Sequence, residues 1–285
     1  MRNIEDCIKK GNELFERKRF SEFIFFCKKI TKENIPIHKK AEIWYRISLA
    51  FYALESYPSA IRSINKALIL NPDNPVYWIH KGNLLQSERC GHWDEAIESY
   101  KTANRLRPND PDTLIKLGLL YESRNNPKKA IEMYQKAIEL NPANPEIWYN
   151  MGVSLNSILY KREKQKRLLT LTTDIASEIQ FLTEILNTFK KVLELDPKHS
   201  DALYSIGVLY TKMMRYSDAM KYFDEALKYY AKGDEKPIQI WYSKAEVLEK
   251  VGRTKEASEL YQKYENELKK DFDEFFSHHR FGYRT

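Results

Sequence analysis

The strongest constraint on this chain is that its punctuation repeats. "ALILNPDNPVYWIHKG" (67–82) and "AIELNPANPEIWYNMG" (137–152) each write a helix end, a break and a helix start in the same order. Asn141 and Pro142 stop a helix, because proline lacks the amide donor and restricts the residue before it. Pro145 suits the first turn of the next helix, where its missing N–H would go unpaired anyway. Trp148 and Gly152 lie four apart and so share a helix face.

The same register runs along the chain. Small residues stand at Gly11, Ser48, Gly82, Gly118, Gly152, Gly207 and Ala245. Four residues before each are Cys7, Trp44, Trp78, Leu114, Trp148, Leu203 and Trp241. A third column reads Phe23, Ala60, Ala96, Ala130, Ile185, Ala219 and Ala257. Four residues beyond it come Cys27, Ile64, Tyr100, Tyr134, Phe189, Phe223 and Tyr261. Prolines close units at Pro72, Pro108, Pro142 and Pro197. With 9 glycines in 285 residues and no alternating Val/Thr-rich stretch, an all-helical class follows. The spacing predicts that Trp44, Trp78, Trp148 and Trp241 are largely buried between helices.

This pattern of tryptophan, glycine, alanine, aromatic and proline resembles the tetratricopeptide repeat (TPR) family over almost the whole sequence. The resemblance implies an all-α, right-handed α-solenoid of about seven helix–turn–helix repeats, each burying its apolar face only against its neighbours. The repeats are expected at about 4–40, 41–74, 75–110, 111–144, 145–199, 200–237 and 238–268 of one solenoid. An aromatic extension, "DFDEFFSHHRFGYRT", takes up 269–285. Its Phe272, Phe275 and Phe276 are spaced to cap the final repeat, fold onto the groove or meet a second copy.

The fifth repeat departs from its neighbours. Gly152 to Ile185 spans 33 residues where the neighbouring units use 12, and no Gly or Pro occurs between Val153 and Asp196. A helical insertion at about 157–177 is expected, with a turn near "TLTTD", Asp174 capping a long second helix and "KREKQKR" (161–167) near an exposed end. The third repeat carries two extra residues around "SERCGHW".

Charge is concentrated locally on this chain of formal net charge +7. Residues 1–40 hold 11 Lys/Arg against 6 Asp/Glu, and "KREKQKR" holds five basic residues against Glu163. The remainder is near neutral, which does not describe a wholly basic nucleic-acid binder. Only Tyr160 adjoins the basic run, so a solvated helix end is favoured over phosphate contacts with base stacking. Cys7, Cys27 and Cys90 form no CxxC, the start lacks a secretory apolar core, and no run approaches a membrane span. A cytoplasmic protein without membrane association is expected.

Motifs for catalysis are missing: no GxxxxGK[ST], GxGxxG after a strand, HExxH or GxSxG occurs. No enzyme activity, cofactor or metal is expected. His278 and His279 are adjacent and point about 100° apart on a helix. Cys7 and Cys27 fall in buried columns and read as structural thiols, whereas Cys90 lies in an intra-repeat turn.

In the resembled family, the residue after the tryptophan column looks into a concave groove that holds partner segments. Here that column is Ile8, Tyr45, Ile79, Ile115, Tyr149, Tyr204 and Tyr242, and the next is Lys9, Arg46, His80, Lys116, Asn150, Ser205 and Ser243. The resemblance implies a groove formed by Tyr45, Arg46, Ile79, His80, Asn83, Ile115, Lys116, Tyr149, Asn150, Tyr204 and Tyr242. Packing between first helices is an equally available role for the tyrosines. The implied function is a non-catalytic scaffold or adaptor for a partner peptide or helix, acidic where it meets the basic N-terminal half. A homo-oligomer formed through the tail or the long hairpin is the alternative. Two known groove chemistries do not fit. Asn12 matches the clamp for chaperone carboxylates, but Ile8, Arg46, Val76 and His80 stand where its other polar groups belong. Of the asparagine ladder of the sugar-transferase arrays, only Asn150 is in place.

Overall fold

Asparagine and proline start the helices as the sequence suggests. In the computed structural model, Asn74 accepts from Val76 N at 3.0 Å with Pro75 in the first turn, and Asn144 accepts from Glu146 N at 3.0 Å before Pro145. These side chains satisfy amides that the first turn leaves unpaired. The structure describes residues 4–87, 91–169, 175–230 and 237–279, with side chains for 9–87, 91–166, 175–230 and 237–270.

Fourteen helices and no strand occur among the described residues, in two compact units. The first unit, Met1–Pro142, contains α1 (Ile4–Glu16), α2 (Phe20–Ile30), α3 (Ile37–Ala53), α4 (Tyr57–Leu70), α5 (Pro75–Leu85), α6 (Trp93–Leu106), α7 (Pro111–Ser123) and α8 (Pro127–Leu140). The second, Ala143–Thr285, contains α9 (Pro145–Leu169), α10 (Ile175–Leu195), α11 (Ser200–Lys212), α12 (Tyr216–Tyr229), α13 (Ile238–Lys250) and α14 (Thr254–His279). Within each unit the helices pack mainly on those before and after them in sequence.

The inner columns are sealed in the hairpins from α3–α4 to α11–α12. Ala60, Ile64, Ala96, Tyr100, Ala130, Tyr134, Ile185, Phe189, Ala219 and Phe223 are all 0% exposed. The glycines make room for rings of the second helix of the same hairpin. A Cβ at Gly82 would come within 2.7 Å of the Tyr100 ring, and one at Gly152 within 2.7 Å of Phe189. Where the small residue is Ser48, the opposing residue is Ile64 and the hydroxyl donates to Ala60 O at 2.7 Å.

The turns inside the hairpins share one device. Lys18, Glu55, Asn125 and Met214 all have φ of 55–57°, and Gly252 has φ 80°. After each, the next amide reaches back five residues, as in Ser56 N to Phe51 O (2.8 Å) and Arg215 N to Tyr210 O (2.8 Å). This left-handed cap satisfies the last carbonyls of the preceding helix. In the α5–α6 turn, with its extra residues, Gly91 is left-handed and His92 N reaches Leu85 O.

The tryptophans correct the sequence reading. Trp241 is buried, but Trp44, Trp78 and Trp148 are only half-buried. The residue before each is the core residue: Ile43, Tyr77, Ile147 and Ile240 are 7%, 4%, 0% and 2% exposed. An indole has one polar atom and a large ring face, so it suits a rim. Trp78 Nε1 donates to Pro72 O at 2.7 Å, and lysines lie over the rings of Trp44 (Lys66, 4.1 Å) and Trp241 (Lys263, 4.0 Å).

Both arms of the long hairpin are helical, α9 with 25 residues and α10 with 21. The expected turn and the Asp174 cap lie outside the described residues, as does Cys90. Helix α14 continues through 269–279 without a break, while 280–285 and the side chains of Phe272, Phe275, Phe276, His278 and His279 lie outside the described part. Cys27 is a free thiol, 4% exposed, and burial pushes its pKa up to about 12 against the opposing pull of Arg46. A thiol this protonated is a packing residue.

Candidate partner-binding surface

The first helix of each hairpin carries the columns in question. In the first unit, Tyr45 on α3 is half-buried. It stacks on Tyr77 (centroids 5.0 Å apart, 29° between planes) and meets His80 edge-on at 5.4 Å. Burial raises the pKa of its phenol despite Arg46 nearby. Ile79, Ile115 and Lys116 are also half-buried, and Lys116 has no ion pair among the described residues.

Other members of the expected set are engaged or turned inward. Arg46 pairs with Glu42 at 3.0 Å and donates to Asn12, so its charge is partly answered within the protein. Asn83 accepts from Tyr100 OH at 2.7 Å and thereby fixes the ring that fills the space beside Gly82. His80 is 6% exposed, with Nε2 3.0 Å from Ser48 Oγ. Ser48 spends its proton on Ala60 O, so Nε2 carries the hydrogen and the serine oxygen accepts it. Desolvation lowers the His80 pKa to about 4, which keeps it neutral.

In the second unit, Tyr149 lies 4.8 Å from the His199 ring and 5.9 Å from Phe189. Tyr204 packs 6.0 Å from Phe223, and its hydroxyl is 3.3 Å from Ser243 Oγ on α13. Tyr242 sits against Tyr261 and Tyr264 at 5.6 and 5.2 Å and is 41% exposed. Each of these tyrosines packs one side on a second-helix aromatic while remaining partly open. Asn150 is 8% exposed, and its Nδ2 has no partner among the described residues. Tyr77, His199, Ser243 and Tyr264 flank these side chains but were not in the expected set. Only Ser243 had a sequence signal, through its column.

Among the described residues, no group of three or more His, Cys, Asp or Glu is arranged to hold a metal ion, and no helix is long and apolar enough to cross a membrane.

Comparison with known proteins decides the family. Models described as TPR repeat match residues 89–125 and 123–156, and models described as tetratricopeptide repeat match 41–74 and 188–221. The chain belongs to the tetratricopeptide repeat family. A TPR repeat-containing protein of Methanocaldococcus jannaschii is 23% identical over 92% of this TPR chain and 50% of its own length. The human N-alpha-acetyltransferase 16, NatA auxiliary subunit, is 23% identical over 87% of the chain and 26% of its own length. The chain thus spans half or less of these curated relatives. Among solved structures, the C-terminal part of a TPR repeat-containing protein from Cytophaga hutchinsonii aligns with TM-score 0.67 and 17% identity, covering 89% of this chain and 92% of that one. YrrB, described as a TPR protein with an unusual peptide-binding site, aligns with TM-score 0.53 and 23% identity over 71% and 91%. These likenesses establish the TPR hairpin architecture.

Proposed function

We propose that this TPR chain is a non-catalytic scaffold that holds an extended peptide or an amphipathic helix of a partner protein on its first-helix face. One contrast carries the reading. The column after the tryptophans (Tyr45, Ile79, Ile115, Tyr149, Tyr204, Tyr242) stays partly open, while the inner columns of the hairpins from α3–α4 to α11–α12 are sealed at 0%. Partly open tyrosines held by packing behind them lose little entropy on binding and suit anchor roles. The peptide-binding site ascribed to YrrB, whose fold is similar, supports the same use. Lys116, without an ion pair among the described residues, favours an acidic segment in the first unit, whereas the Arg46 charge is partly answered by Glu42. A reducing, cytoplasmic setting goes with the free Cys27 thiol.

The test begins with partners captured from the native cell and identified by mass spectrometry, then titrated against the full chain. Tyr149→Ser with Tyr204→Ser should weaken binding by about 2 kcal/mol or more with the fold retained. Unchanged affinity in a folded double variant rejects the face.

Self-association is the second reading, and one observation favours it. Helix α14 has 26 residues against 13 in its hairpin mate α13, leaving its outer half without a mate from that hairpin. Sedimentation velocity over a wide concentration range reports a dimer if this reading holds.

A further inference from the structure

The long hairpin has chemistry of its own. Leu155, Leu159, Leu182 and Leu186 are all buried, giving the two arms a dry seam. Towards its outer part a cavity of about 300 Å³ opens between α9 and α10. Leu159 and Phe181 supply its apolar wall, and Arg162, Gln165 and Ser177 its polar rim. A cavity of this size is at the small end of those that bind ligands.

The charges around it are unevenly satisfied. Glu178 holds Lys166 at 2.9 Å, and Glu163 holds Lys212 of α11 at 2.7 Å. Arg162 is left with neither a carboxylate nor a carbonyl acceptor among the described residues. Its guanidinium lies over the Phe181 ring, 4.2 Å from the centroid. Stacking uses the flat face of a guanidinium and leaves its in-plane N–H fork free to grip a carboxylate in two places. Lys164, exposed one turn from Tyr160, adds a further positive charge.

We propose that this hairpin is a second docking site, distinct from the tyrosine column, for an acidic segment of a partner protein in which a carboxylate is followed by an apolar side chain. The carboxylate meets the Arg162 fork and the apolar side chain enters the cavity against Leu159 and Phe181. Charge complementarity selects this occupant over nucleic acid. Of the two cations lining the cavity, Lys166 is already paired with Glu178, so Arg162 is a lone fork beside an apolar wall, which fits a carboxylate followed by an apolar side chain better than a run of phosphates. Residues 161–167 are thereby more than a solvated helix end.

The test uses the full chain and a fluorescein-labelled decapeptide alternating Glu with Leu and Phe, followed by anisotropy. The peptide should bind, its Gln-for-Glu counterpart should not, and Arg162→Gln should weaken binding by about tenfold or more. Arg162→Lys, which keeps the charge but loses the fork, should fall between wild type and Arg162→Gln. Ser177→Glu, which adds a repelling charge at the rim, should also weaken binding. Tyr149→Ser with Tyr204→Ser should leave it unchanged, which separates this site from the tyrosine face. Circular dichroism verifies that each variant is folded; Arg162 and Ser177 are both exposed, so their replacement leaves the core untouched. The proposal fails if the peptide does not bind, if Arg162→Gln binds it like wild type, or if the tyrosine pair alone abolishes binding. It also fails if an oligothymidine of equal charge displaces the peptide with higher affinity, since the surface would then read phosphate.

Discussion

His80 Nε2 donates to Ser48 Oγ across 3.0 Å, joining the first helices of two successive hairpins inside the core. The rings of Tyr45 and Tyr52 stand edge-on to the imidazole, so only uncharged groups face it there. Unfolded, this histidine titrates near 6.5; folded, burial holds it at about 4. Between those values the unfolded chain binds more protons, so acid favours unfolding. The His80 contribution is fully present above about pH 6.5 and is lost progressively towards pH 4, roughly 3 kcal/mol in all. Urea unfolding at pH 7.5 and 4.5 measures it. His80→Gln, which can still donate to Ser48, should flatten the acid side of the profile.

The fit between glycine and ring predicts an overpacking penalty. Gly152→Ala improves helix propensity by about 1 kcal/mol, but its new methyl occupies space held by Phe189. A net loss of about 1–3 kcal/mol is expected in thermal unfolding. Adding Phe189→Leu should recover part of it, giving a coupling energy of opposite sign in the double-mutant cycle.

Met214 is 76% exposed with φ 57°, a backbone state that costs a side-chain-bearing residue about 1–2 kcal/mol. Met214→Gly should therefore stabilise the protein by about 0.5–1 kcal/mol after the added flexibility of the unfolded chain is counted. The same change at Asn125 should gain less, because asparagine tolerates that state better. Denaturant midpoints of the two variants give the comparison.

Trp78→Phe keeps a ring at the rim but deletes the hydrogen bond to Pro72 O. A cost of about 1 kcal/mol is expected, the net worth of one such bond. Trp78→Ala should cost about 2–3 kcal/mol, below the range for fully buried tryptophans, because this indole is only half-buried. Urea titrations of both variants decide between rim and core.

The hairpins were legible in the sequence because Asn74, Pro75, Asn144 and Pro145 act locally: each caps or starts a helix within a turn of itself. The sealed alanine and aromatic columns were legible too, because repetition makes their burial periodic. The tryptophans misled because whole-repeat spacing places a column on one helix face without fixing its depth, whereas an N–H that needs an acceptor places Trp78 at an edge. The left-handed states of Lys18, Glu55 and Met214 gave no sign, since none of these residue types favours positive φ and the strain is imposed by the return of the second helix. Among the expected groove residues, spacing could locate His80 and Asn83, but their inward commitments depend on Ser48 and Tyr100, 32 and 17 residues away.

A chain whose helices pack mainly on their sequence neighbours has few long staples to resist being pulled by its ends. Under tension, α7–α8 (111–140) or α11–α12 (200–229) would each release roughly 100 Å of contour, at about 3.4 Å per residue. The α9–α10 pair (145–195) would release roughly 170 Å in one event. The long hairpin is thus a built-in length marker, the largest step of extension among the described hairpins, with α13–α14 (238–279) next at roughly 140 Å.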